Sequence, residues 1–191
     1  MQDRDGHRYR TVVANGLEWT VDNLRTVHYQ NGDPILNALG DDDYLMAGKN
    51  KQGAWCHMNN DAALDASYGK IYNWFAVHDP RGLAPEVEGW RIPTEEDWSS
   101  LETYFSAQMA QGEDQWERLK ETFHLQYSGS RGINGAFGGF GKSGYWWKYM
   151  PLTEAAEQSW GRRILLSGEG FEPIDGFQRF GFAVRLVRTL G

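Results

Sequence analysis

Gly181-Phe182-Ala183-Val184-Arg185-Leu186-Val187-Arg188, near the C-terminal end, alternates two sets of side chains, Phe182, Val184 and Leu186 against Ala183, Arg185 and Val187. Successive side chains of a strand point to opposite faces, so this period of two predicts a strand over residues 180–187. Upstream, residues 159–166 and 145–150 also read as strands. Between Gly129 and Gly144 stand seven glycines, interleaved with Phe137 and Phe140. Aromatic residues at that density supply burial, so the glycines predict tight turns, bulges and close backbone approaches between short strands. A phosphate-cradling loop is not predicted, because neither GxxxxGK[ST] nor a strand–GxGxxG–helix context occurs.

The first half reads differently. Residues 9–14 are strand-like, Asn15-Gly16 is a two-residue hairpin signal, and Leu17-Glu18-Trp19-Thr20-Val21 alternates again before Asp22 and Asn23 close it. Residues 31–50, with Asn-Gly, Asp-Pro and Asp41-Asp42-Asp43, are predicted to be loop, and residues 54–58 a short strand. Tyr68, Ile71, Tyr72, Phe75 and Ala76 recur at helical spacing up to the stop at Asp79-Pro80. A second helix is predicted from Thr94, whose hydroxyl caps the amide of Asp97 while Asp97 reaches back. Its acidic first turn suits the positive end of the helix dipole, and Trp98, Leu101 and Phe105 face the core. A weaker helical stretch covers residues 114–122, with Trp116 and Leu119 three apart. No internal repeat is visible. The expected class is α+β, with helices early and a mostly antiparallel sheet late.

Composition narrows the function classes. The chain has 191 residues, with 19 basic and 26 acidic side chains for a net charge of −7, 40% hydrophobic residues and nine each of Trp, Tyr and Phe. That length fits one domain with a sizeable core, and the aromatic content is that of a folded globule rather than a solvated coil. The acidic balance disfavours a nucleic-acid partner. No apolar run reaches membrane-spanning length, and no secretory signal is written in residues 1–10. The single Cys56 excludes an intrachain disulfide and any multi-thiolate metal site. The compartment stays open, since a lone thiol suits the cytosol while an exported domain of this size folds without bridges.

Five segments occur in an order that resembles a known family. They are Leu17-Glu18-Trp19-Thr20-Val21-Asp22-Asn23-Leu24, Tyr68-Gly69-Lys70-Ile71-Tyr72-Asn73-Trp74-Phe75-Ala76-Val77, Gly89-Trp90-Arg91-Ile92-Pro93-Thr94 through Trp98, Gly144-Tyr145-Trp146-Trp147, and the closing Gly181 to Arg188. Together they resemble the Fibrobacter succinogenes major paralogous domain, a module of surface and secreted bacterial proteins. The resemblance covers residues 9–188 of one domain spanning 1–191. That family is in turn similar to the formylglycine-generating-enzyme and C-type-lectin superfold. The resemblance therefore implies a small twisted sheet, two main helices, long loops, paired terminal strands and an extracellular or cell-surface setting.

The catalytic members of that superfold hold copper through paired cysteines. With Cys56 alone the pair is missing, so the oxidase activity is expected to be missing too. Cys56 and His57 are adjacent on a predicted strand and point to opposite faces, which disfavours a nucleophile–base pair. His7, His28, His78 and His124 are scattered, with no zinc-site spacing, and no metal ligands are assigned. Oxygen donors cluster at Asp41, Asp42, Asp43 and at Asn59, Asn60, Asp61. Turn chemistry and a helix lead-in explain them first, and a structural calcium is the secondary reading. Glu95 and Glu96 are read as first-turn helix residues, not as a glycosidase pair, and no catalytic residue is assigned. Trp19, Trp74, Trp90 and Trp98 are expected in the core, whereas Trp146 and Trp147 face opposite sides of their strand.

The stretch after Lys148 mixes exposed-type aromatic and charged residues. Tyr149, Trp160, Arg162, Arg163, Glu169 and Phe171 are the expected ligand-binding set, because aromatic and arginine side chains at rigid positions form binding hot spots. The plain alternative is an amphipathic sheet with its arginines on the wet side. The expected function is a non-enzymatic ligand-binding or surface-display module for a glycan, peptide or protein. A phage or retroelement-diversified receptor-binding protein is the first alternative, and a formylglycine-generating-type oxidase the second.

Overall fold

Asn15 and Gly16 take φ of 51° and 79°, the left-handed pair that a two-residue hairpin turn demands and Asn-Gly tolerates best. They join β1 (Thr11–Ala14) to β2 (Leu17–Thr20), antiparallel from Thr11 opposite Thr20 to Ala14 opposite Leu17. The computed structural model describes residues 1–85, 88–112, 115–150, 161–165, 168, 170–174 and 176–190. In chain order the further elements are β3 (Leu36–Asn37), α1 (Asp41–Lys49), β4 (Ala54–His57), α2 (Asp65–Tyr68), β5 (Lys70–Asn73) and α3 (Trp74–Val77). After them come α4 (Glu95–Met109), α5 (Gln115–Thr122), β6 (Ser130–Arg131), β7 (Phe137–Gly138) and β8 (Ser143–Trp147). The last are β9 (Gly161–Leu165), β10 (Glu172–Ile174), β11 (Gly181–Phe182) and β12 (Val187–Thr189).

The chain is α+β, and its two ends meet. β12 pairs antiparallel with β2, Val187 opposite Trp19, giving the sheet order β1-β2-β12. A second sheet runs β10-β9-β8 and a third β3-β4-β5-β11-β6-β7, in which only the β3–β4 pair is parallel. Three sheets thus stand where one small sheet is expected. Isolated bridges add to these contacts, joining Trp146 of β8 to Ala183 just after β11, and Arg91 to Val187 of β12.

The core has two parts, and adjacent residues divide between them. Trp146 packs with Trp19, Trp98 and Ala183, whereas Trp147 packs with Tyr72, Trp90 and Phe182. Both indoles are fully buried. The two faces of β8 do point apart as the strand geometry requires, but neither face is wet. The closing segment behaves alike. Phe182, Val184 and Leu186 enter one cluster, Ala183 and Val187 the other, and Arg185 is buried between elements. The predicted single strand over 180–187 is therefore two short strands, β11 and β12, separated where residues 183–186 are bonded from several sides. The amide of Thr20 donates to the Leu186 carbonyl and that of Leu24 to Val184.

The helix from Thr94 forms as predicted: Thr94 accepts from the Asp97 amide, Asp97 bonds back to the Thr94 amide, and Trp98, Leu101 and Phe105 are buried. α5 also follows the reading, burying Trp116 and Leu119. Two further expectations, of a loop and of a helix, fail. Residues 41–49 form α1 rather than loop, because three carboxylates in a first turn favour a helix N-terminus and Asp43 bonds back to the Gly40 amide. The helix expected through Tyr68, Ile71, Tyr72, Phe75 and Ala76 is instead α2, β5 and α3. Gly69 breaks it with φ 72°, where a Cβ would lie 2.5 Å from that of Asn23. All four residues of β5 are buried, a strand covered on both faces that apolar spacing alone does not distinguish from a helix.

Candidate ligand-binding cleft

The one-turn helix α3 is held by Asn73, whose side-chain oxygen accepts from the Ala76 amide (3.0 Å) and the Ala54 amide (3.0 Å). The turn delivers His78 at its C-terminal end. Its Nδ1 donates to the Trp74 carbonyl (3.3 Å) and its Nε2 accepts from the Met150 amide (3.1 Å), which sets one tautomer. Burial pulls the imidazole down to about 4, so at neutral pH the ring is uncharged. It is one layer of an aromatic stack, 4.0 Å and 19° from the Trp74 ring on one side, 5.3 Å and 15° from Tyr149 on the other. The Tyr149 amide donates to the Pro93 carbonyl (2.7 Å), and its ring is 46% exposed.

This stack walls a cleft of about 490 Å³ between the 77–84 segment and the 91–94 segment. Leu83, Ala84 and Ile92 supply apolar lining, while Asp79, Arg91 and Thr94 supply polar groups. The two rim charges are already partnered. Arg81 donates to both oxygens of Asp79 (2.8 Å each), a hydrogen bond that leads the lowering of that carboxyl. Arg91 grips Asp97 bidentately, and Asp97 also accepts from the Thr94 amide. Asp97 is held below the usual carboxylate range: burial, the largest influence, pushes it up, and the hydrogen bonds from Arg91 and Thr94 outweigh that push. With both nitrogens of His78 engaged and its neighbouring charges neutralised, the cleft is built for ring stacking and hydrogen bonding.

The residues expected to bind ligand are not gathered on one exposed face. Tyr149 lines the cleft. Arg162, on β9, is only 3% exposed: its Nε donates to Glu102 (2.8 Å) and its NH2 to Glu95, which Lys148 also pairs. Glu95 thus has a tertiary role beyond the helix first turn. Arg163 points the other way and meets Glu172 of β10 (2.7 Å). Neighbours on one strand cannot share a face, so the Arg162-Arg163 pair could never form a single patch. Phe171 packs against the core beside Trp98 (5.3 Å), Phe105 (5.4 Å) and Trp146 (5.9 Å). Trp160 and Glu169 lie outside the described residues. Sequence spacing does not single out His78 from the other scattered histidines; its position before Asp79-Pro80, at the end of a helical turn, is the available signal.

The oxygen clusters have structural partners. Asp41 pairs with Arg131 (2.8 Å), Asp43 bonds the Gly40 amide, and Asp61 accepts from the Ala63 amide. Among the described residues a grouping with metal-ligand geometry lies elsewhere, where Asp3, Asp5 and His7 bring ligand atoms within 4.8 Å of one another. There Asp3 accepts from Tyr9 and the His7 amide, and Asp5 from Thr26, the Val27 amide and His28. Cys56 is fully buried, and burial pushes its thiol up to about 11. A two-thiolate copper site does not fit a chain with this one enclosed thiol. His57, on the opposite face, bonds Asp65 (2.8 Å) instead.

An α+β chain whose first hairpin is completed by its last strand, with an aromatic-walled cleft beside the helix of residues 95–109, defines the class. The family model of the Fibrobacter succinogenes major domain matches residues 12–188, and the chain belongs to that family. No curated protein and no solved structure matches it.

Proposed function

We propose that this chain is a non-catalytic ligand-binding module, displayed at a bacterial surface, that takes a sugar ring on the exposed face of Tyr149. The stacked Trp74–His78–Tyr149 column at the mouth of the 490 Å³ cleft carries this reading. A half-exposed aromatic ring fixed by two layers beneath it loses little freedom on binding, and polar groups around it suit hydroxyls. The pairing of the terminal strands favours a C-type-lectin-like arrangement of the scaffold. The lone, buried Cys56 favours binding over oxidase chemistry. Screening wild type and Tyr149→Ala on an array of neutral glycans tests the proposal. Binding by wild type that falls about tenfold or more in the variant is expected. Equal binding by both would overturn it.

A further inference from the structure

Phe75 of α3 also lines a second recess, of about 350 Å³, between the C-terminal turn of α1 and the turn at residues 177–179. We propose that it binds the carboxylate of an acidic sugar, with the sugar ring against aromatic faces. Lys49, Lys51 and Arg179 all line it, in a chain of net charge −7. Among the described residues most basic side chains are tied to carboxylates or backbone carbonyls, ten of them in ion pairs. These three have no hydrogen-bond or ion-pair partner among the described residues. The negative end of the α1 dipole accounts for Lys49, in its last turn, but not for the other two. Lys51 lies beyond the helix at φ 53°, and Arg179 comes from a remote turn.

The recess is also preorganised. Gly48 lets the stem of Arg179 cross α1, since a Cβ there would lie 3.0 Å from its Cγ and Cδ. The Trp74 amide donates to the Gln178 carbonyl (3.1 Å) and the Phe180 amide to Phe177 (2.8 Å), fixing the turn. Phe177, 49% exposed, stacks on Phe180 at 5.9 Å, and Phe75 packs edge-on to Trp74 at 5.9 Å. Uncommitted cations beside rigid ring faces select a ring that carries an anion. A nucleic acid is disfavoured, because three charges in one hollow do not track a phosphate backbone and the overall charge repels a polyanion. The site is separate from the Tyr149 cleft and does not depend on it.

Amide NMR titration with trigalacturonate and with its methyl ester tests the assignment. The acid is expected to shift the amides of Lys51 and Arg179. The ester, and the variant carrying Lys51→Ala with Arg179→Ala, are expected to bind about tenfold more weakly or worse. Lys51→Glu, a surface change that keeps the fold, is expected to lose the acid as well, and Tyr149→Ala to retain it. Equal binding of acid and ester, undiminished binding in the double variant and in Lys51→Glu, or no shift with the acid would each overturn the proposal. So would a DNA oligonucleotide that shifts the same amides as strongly.

Discussion

The indole nitrogen of Trp146 donates to the side-chain oxygen of Asn23 at 2.8 Å, across 123 residues of chain. The same oxygen accepts from Arg185 Nε (3.3 Å), and the Asn23 amide group donates to the Tyr68 carbonyl (2.8 Å). One buried amide therefore joins the segment after the first hairpin, the start of the 68–77 segment, the Trp146-Trp147 strand and the closing Gly181 to Arg188 stretch. Arg185 itself reaches the Phe123 and His124 carbonyls just past α5 (2.8 Å each). These are four of the five segments whose order points to the family, so what reads as a string of short motifs is a single contact in space.

Replacing Asn23 by Ala strands two buried donors and one carbonyl. An unsatisfied buried group costs about 1–3 kcal/mol, so Asn23→Ala is expected to lower unfolding stability by about 3 kcal/mol, read by urea denaturation. A loss below about 1 kcal/mol would show that the amide is not the junction described.

Arg162 separates a structural from a ligand-binding role. Its guanidinium, fully enclosed, bridges Glu95 and Glu102 of α4, and removing it leaves Glu102 without its charge partner and a hollow against the helix. Arg162→Ala is expected to cost about 2 kcal/mol in stability, by analogy with broken buried pairs discounted for the half-exposed glutamates. Ligand affinity at the Tyr149 cleft is expected to stay within about twofold. A stable variant that loses ligand would return Arg162 to the binding surface.

Local chemistry was readable from sequence, and remote packing was not. The Thr94–Asp97 cap and the Asn15-Gly16 turn involve residues at most three apart, and both formed as predicted. The period-two alternation of residues 182–187 correctly placed neighbours on opposite faces. It could not say that both faces are covered, since the partners come from both halves of the chain. Tyr68, Ile71, Tyr72 and Phe75 have helical spacing, yet the close approach of Gly69 to Asn23, 46 positions earlier, decides for a strand. The binding set failed for a related reason. Side-chain type marked Arg162 as a hot spot, but burial under α4 depends on Glu95 and Glu102, more than sixty and exactly sixty positions away.

The Asp41-Asp42-Asp43 run divides its labour. Arg131 is fully buried, lies over the rings of Tyr44 (4.4 Å) and Phe137 (4.7 Å), and has Asp41 as its one carboxylate partner among the described residues. Asp42 has no side-chain partner among the described residues. Asp41→Asn is expected to cost about 1 kcal/mol, because the amide oxygen can still accept from the buried guanidinium, beside the Ala38 and Gly135 carbonyls, while the opposing charge, on a largely exposed side chain, is lost; Asp42→Asn is expected to change stability by less than about 0.5 kcal/mol. Millimolar calcium is expected to leave both thermal midpoints where they are. A calcium-dependent rise in wild type that Asp41→Asn abolishes would instead make the run a cation site.

His78 makes the cleft sensitive to acid. Its folded value lies near 4, against 6.5 for an exposed imidazole, so between those limits the unfolded chain binds the extra proton. Stability is therefore complete above about pH 6.5 and falls as pH drops towards 4. That difference corresponds to about 3 kcal/mol. Protonation also removes the acceptor for the Met150 amide and places a charge beneath the Tyr149 ring, so ligand affinity is expected to fall over the same interval. Urea denaturation at pH 7 and pH 4.5 checks this, with His78→Gln as the control that keeps an acceptor but cannot titrate. Wild type is expected to lose about 2 kcal/mol more than the variant over that interval. Equal losses would assign the acid sensitivity to the carboxylates and leave His78 a purely packed ring.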